Sequence, residues 1–138
     1  MSAGWVVDSS VGIAWVHPGQ ATPATEKLLD AICEGVVFVV PALWYTEMAN
    51  ALLVLQRRNK LTAGERKIAL EKLSNLNFTT DEESAKAAFT AASTLAERHS
   101  LTVYDATYLE VALRRKLSLA TLDDDLTKAA RRVGVKLL

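Results

Sequence analysis

Four acidic side chains stand in this sequence where they could do chemistry together. Asp8 closes the apolar run "WVVD", Asp105 sits in "TVYDATYLEVAL", Asp123 follows "SLAT", and Glu47 lies inside "PALWYTEMANALLVLQRR". No histidine or basic residue adjoins any of them. Carboxylates brought together without a compensating charge raise one another's pKa values. The simplest neutraliser is a hard divalent cation, and Mg2+ typically binds through a few carboxylates, several waters and a substrate phosphate. The pattern points to a metal site doing phosphate chemistry.

Each aspartate alone has a plainer reading as a helix N-cap, worth about 0.5–2 kcal/mol relative to alanine. Glu47 does not share it. It falls a turn and a half beyond Pro41, on a helical face with Leu43, Asn50 and Val54. A charge facing the core is costly unless it is paired or ligating; an ion-paired or snorkelling glutamate is the alternative. In the run Asp123–Asp124–Asp125, Asp123 reads as the ligand and Asp124 as solvent-facing. Asp125 reads as a partner of the helix dipole or as a group acting on the site through water.

The elements that must position these residues follow from periodicity. Trp5–Asp8 and Val36–Val40 read as buried strands, with Leu76–Thr80, Leu117–Thr121 and Val135–Leu138 as weaker candidates. Ala85, Ala88, Phe89, Ala92, Leu95, Ala96 and His99 recur at helical spacing, as do Leu126, Ala129, Ala130 and Val133 ahead of a stop at Gly134. Pro41 suits a helix start, and Asn59–Gly64 a tight turn, so Ala42–Leu73 reads as a helical hairpin. Strands alternating with helices predict a three-layer α/β/α sandwich with a mostly parallel central sheet, as one domain over residues 1–138. In such a sheet strand C-termini and helix N-termini share one edge, where ligand crevices form. All four acids belong on that edge.

"VVDSS", "PALWYTEMANAL", "YDATYLEVA" and "LATLDDDL" resemble, in this order and at these separations, the successive motifs of the PIN-domain ribonucleases. The resemblance is nearest to the VapC toxins of bacterial toxin–antitoxin pairs and spans almost the whole chain. It implies a quartet of Asp8, Glu47, Asp105 and Asp123 that binds Mg2+ or Mn2+ and hydrolyses RNA, leaving a 5′-phosphate and a 3′-hydroxyl. It gives Thr121 an assisting role beside the last acid, and Ser9 or Ser10 a similar one at the first. It also implies a homodimer, and a small antitoxin that covers the site and supplies any DNA binding.

Overall charge does not decide between partners, because 16 basic residues balance 16 acidic ones. Arg57, Arg58 and Lys60, then Arg114, Arg115 and Lys116, then Arg131 and Arg132 fall near predicted helix C-termini. There they complement helix dipoles at the edge away from the acids; Lys60, Arg66 and Lys67 remain candidates for phosphate contact. His17 and His99 form no ligand pattern, and the tryptophans near the first two motifs read as core or interface. Cys33 is the only cysteine, which excludes an intrachain disulfide and a cysteine-based zinc cluster. The N-terminus has no signal-peptide pattern, and the longest apolar run is broken by Pro41, so a cytoplasmic protein that crosses no membrane is expected. An aspartate-nucleophile phosphatase wants a second Asp where Ser10 stands, and a receiver domain wants an acidic neighbour that Asp8 lacks. The competing reading from another class is a PIN-like module that binds RNA or protein without cutting.

Overall fold

The computed structural model describes residues 4–138. Four strands, β1 (Gly4–Val7), β2 (Val37–Pro41), β3 (Phe78–Asp81) and β4 (Ser118–Ala120), form one sheet in the order β3-β2-β1-β4. Every pairing is parallel, with Val6 opposite Val39 on one side and Leu119 on the other. Val6, Val7, Phe38, Val40 and Leu119 are wholly buried, as expected where helices cover both faces of a parallel sheet. The chain builds β1, β2 and β3 outward in one direction, then crosses back to lay β4 on the far side of β1. In parallel sheets such a reversal is where ligand crevices form, here at the C-terminal ends of β1 and β4.

Eight α-helices are present among the described residues: α1 (Ser9–Val16), α2 (Pro23–Cys33), α3 (Ala42–Arg57), α4 (Ala63–Ser74), α5 (Ser84–Ala87), α6 (Ala91–His99), α7 (Val103–Arg115) and α8 (Asp124–Arg132). One group gathers α2, α3 and α4 around α1; the other gathers α5, α6 and α8 around α7, which packs on β1, β2 and β4. The predicted three-layer sandwich and its helical hairpin are both present, the hairpin as α3 and α4. Thr22 and Thr25 close a capping box on α2, which begins at Pro23; the strand-and-helix reading had left this segment unassigned.

Three local expectations are corrected. Val135–Leu138 is not a strand but a single parallel bridge between Leu119 and Leu137, since β4 is only three residues long and offers little ladder to extend. The helical series from Ala85 to His99 is two helices, broken where Thr90 takes φ −124° and ψ −98°. The break turns Phe89 out of the buried face, leaving it 94% exposed. In α3 the buried line is Trp44, Met48 and Leu52, while Asn50 lies on the exposed side and Glu47 flanks the core.

Candidate active site

Asp8 leaves β1 and caps α1, and it is 4% exposed. Its Oδ1 accepts from the Ser10 hydroxyl at 2.6 Å and the Val11 amide at 3.2 Å, and its Oδ2 accepts from the Thr121 hydroxyl. Both hydroxyls are in turn fixed from the segment that follows β4: the Leu122 amide donates to Ser10 Oγ at 2.9 Å, and the Asp123 amide to Thr121 Oγ1 at 3.0 Å. The Asp8 amide donates to the Ala120 carbonyl at 3.1 Å. The ends of β1 and β4 are thus stitched together around one carboxylate. Of the two serines, only Ser10 hydrogen-bonds Asp8 among the described residues; both line a neighbouring cleft of about 320 Å³ with Ile13 and Val54.

The second and third acids arrive from helices in opposite groups. Glu47 is half-buried on α3, and its Oε1 accepts a hydrogen bond from Tyr108 of α7. Tyr108 is 1% exposed. Asp105 is not the cap of α7. Thr102 is, with its hydroxyl accepting from the Asp105 amide at 3.1 Å, which places Asp105 in the first helical turn. Asp123 does cap its helix, accepting from the Leu126 amide at 2.8 Å. Asp124 and Asp125 are exposed in the first turn of α8.

The electrostatics tie these groups into one field. Burial pushes the Asp8 carboxyl up to about 6, against the hydrogen bonds from Ser10, Thr121 and Val11, and Asp105 adds to the rise. Burial raises Glu47 as well, opposed by the Tyr108 hydrogen bond and reinforced by Asp105. Asp105 is raised by burial, then by the charges of Asp123 and Asp125. The Tyr108 phenol is held protonated, by burial first and then by Glu47. None of the four acids forms an ion pair among the described residues. As they stand, no three carboxylate, histidine or cysteine side chains among the described residues are grouped to hold one ion. The geometry is a coupled acidic edge rather than a closed ligand cage.

Periodicity did not reveal Tyr108 as part of the site, although its place three residues after Asp105 on one helix was a usable signal. Trp44, read as core or interface, is core: it is 1% exposed, and its indole N–H donates to the Asp8 carbonyl at 3.3 Å. Arg114 and Arg115 were expected at the edge away from the acids. They reach instead to the C-terminal end of β3, where Asp81 accepts from Arg114 at 2.8 Å and from Arg115 at 2.5 Å. Asp81 is fully buried; burial would raise its pKa, but the two guanidinium groups outweigh it and hold the carboxyl at about 2.

A parallel sheet that reverses its order beside β1, with acids following β1 and β4, has the topology in which ligand sites form at the C-terminal edge. The PIN domain family model matches residues 5–132, and the chain belongs to that family. Among solved structures it resembles PAE2754 from Pyrobaculum aerophilum (TM-score 0.71, 23% identity, 98% of this chain and 83% of that one). It also resembles VapC20 of Mycobacterium tuberculosis, described as a sarcin–ricin loop cleaving toxin (TM-score 0.63, 19% identity, 91% and 95%). A third is FitAcB from Neisseria gonorrhoeae (TM-score 0.62, 20% identity, 97% and 96%). No curated protein sequence matches the chain. At these identities the likeness is one of fold.

Proposed function

We propose that this chain is the toxin of a toxin–antitoxin pair, a metal-dependent endoribonuclease whose catalytic residues are Asp8, Glu47, Asp105 and Asp123. The observation that carries the reading is the coupling of four uncompensated carboxylates at the crevice where the sheet reverses. Their donor chemistry suits Mg2+ or Mn2+, because every donor is a hard oxygen and none of the four is ion-paired among the described residues. Glu47 Oε2 and Asp123 Oδ1 accept no hydrogen bond among the described residues and are free to ligate. A bound ion would neutralise charge on the scissile phosphate and lower the pKa of the attacking water.

The protein's own contribution is positioning. Ser10 and Thr121 fix the Asp8 carboxylate from both sides, and Tyr108 fixes Glu47. Asp105 and Asp123 present their charges from helix starts, where the dipole favours anions. No side-chain nucleophile is required, since water attacks in line. The VapBC and FitAB likenesses support an antitoxin partner, and the complex of Rickettsia felis VapBC2 with a promoter DNA fragment supports DNA binding through that partner. A homodimer and a cytoplasmic location belong to the same reading; no helix among the described residues is long and apolar enough to cross a membrane.

The test is purified chain, freed of partner, on total cellular RNA with Mn2+ or with EDTA. Discrete fragments that need metal and vanish in Asp8→Asn and Asp105→Asn are expected. A folded protein that gains thermal stability with Mn2+ and still cuts nothing would move the reading to a binding module.

A further inference from the structure

Beside the acidic edge lies a pocket of about 340 Å³ between the end of α6 and one face of α8, lined by Arg98, His99, Ser100, Asp125, Lys128 and Arg132. Its position follows from the chain. Ser100 ends α6 in a left-handed turn (φ 55°), and Leu101 alone separates it from Thr102, the cap of α7. The C-terminal turn of α6 is therefore delivered to the edge that carries Asp105. Asp125, Lys128 and Arg132 fall at i, i+3 and i+7, one continuous helical face that begins at the acidic edge and runs about 10 Å along α8. Asp125 lies two residues after Asp123, in the first turn of α8, so the pocket and the candidate active site share a border.

The charge in this pocket is unspent. Arg98, Lys128 and Arg132 form no ion pair among the described residues, in contrast to Arg114 and Arg115. His99 Nε2 is buried and has no hydrogen-bond partner there. Three unpaired cations against one carboxylate, in a chain whose net charge is zero, make a local site for an anion. With no apolar or broad aromatic wall to stack a base, the lining favours a phosphate over a nucleobase. The helix-dipole role expected of Arg132 does not account for its sharing a pocket with Arg98 and Lys128 across two helices.

We propose that this pocket is a phosphate subsite that holds a backbone phosphate of the RNA strand flanking the cleaved bond. The inference rests on the reading of the four acids as an RNA-cutting site. It assigns Arg98, Lys128 and Arg132 as the contacts and His99 as the floor.

The test measures anisotropy of a short fluorescent single-stranded RNA binding to the full chain in EDTA, across a salt series. Arg98→Gln, Lys128→Gln and Arg132→Gln are compared singly and together, with Arg57→Gln plus Arg58→Gln on α3 as the control. The triple variant should bind at least about tenfold more weakly, with the salt slope smaller by about 0.7, as the loss of one neutralised phosphate on a single strand requires. In Mn2+ its KM should rise while its single-turnover rate at saturating RNA stays near wild type. Thermal melts establish that the variants are folded. Unchanged affinity and slope in the triple variant, an equal loss in the control, or no RNA binding by wild type would each overturn the subsite. The two readings fail separately: a wild type that cuts RNA beside a triple variant that binds normally removes only the subsite. A wild type that binds through these residues yet never cuts removes only the cleavage.

Discussion

Asp8 carries its charge where the fold resists it. Its pKa of about 6 lies above the ordinary 3.8, so the folded state binds its proton more tightly than the unfolded chain does. The associated stability is fully present below pH 3.8 and is lost as pH rises through about 6. At neutral pH the ionised, metal-free protein is therefore less stable by about 3 kcal/mol than if the pKa were unshifted. Asp8→Asn should raise metal-free stability at pH 7.5 by about 1–3 kcal/mol, with the gain shrinking at pH 4.5 in urea titrations. The same variant should gain nothing from Mn2+. A loss of stability at pH 7.5 would show that the charge is already compensated. Tyr108→Phe keeps the ring but leaves Glu47 without its donor. It should leave the melting curve nearly unchanged, slow cleavage and weaken Mn2+ dependence by about tenfold, the usual scale for a ligand's supporting partner. At this scale the sequence was legible where a residue type was odd for its place, as with Glu47 inside a helix. The choice of Ser10 over Ser9, and the part played by Tyr108, were not legible. Both depend on which way a hydroxyl points across two elements far apart in the chain.

The elements hold the acids in register through close packing and one partly buried ion-pair cluster. A Cβ added at Gly12 of α1 would lie 2.6 Å from Met48 Sδ and 3.1 Å from Trp44 Cζ2, so α1 and α3 meet without room for a methyl. Gly12→Ala should cost about 1–3 kcal/mol by overpacking, read by denaturation, and should shift Glu47 relative to Asp8. Asp81 ties β3 to the end of α7 through Arg114 and Arg115, and it also accepts from the Glu83 and Ser84 amides. Its depressed pKa of about 2 stabilises the fold above pH 3.8, and that contribution is lost as pH falls through about 2. Asp81→Ala removes the ion-pair partner of Arg115, while Arg114 keeps Glu83 and Glu110, and should cost about 1–3 kcal/mol. The core strands were readable because a strand buried on both faces is continuously apolar. The break at Thr90 was not, since the periodicity of Ala85–His99 runs through it unchanged. Nor was the fate of Val135–Leu138, which is set by the length of β4 rather than by its own composition.

Across the whole molecule, neutrality conceals a segregation of charge. The acids crowd the crevice beside β1 and β4, two arginines are spent on Asp81, and an unpaired basic pocket borders the acids between α6 and α8. Such an arrangement suits a substrate that is a chain of phosphates, one at the acidic edge and the next on the basic side. The strand order was only partly readable, because alternation of strands and helices predicts parallel pairing without predicting which strand lands beside β1. The placement of Asp8 and Asp123 on one edge nevertheless followed from it, since every parallel order puts strand C-termini there. The measurement that tests the central claim most directly is the chemistry of the cut ends. An end-labelled RNA cleaved by the purified chain in Mn2+ should yield 5′-phosphate and 3′-hydroxyl termini, with no product in EDTA or with Asp8→Asn. Cuts that survive EDTA, or that end in 2′,3′-cyclic phosphate, would contradict a water-attack mechanism organised by these four carboxylates.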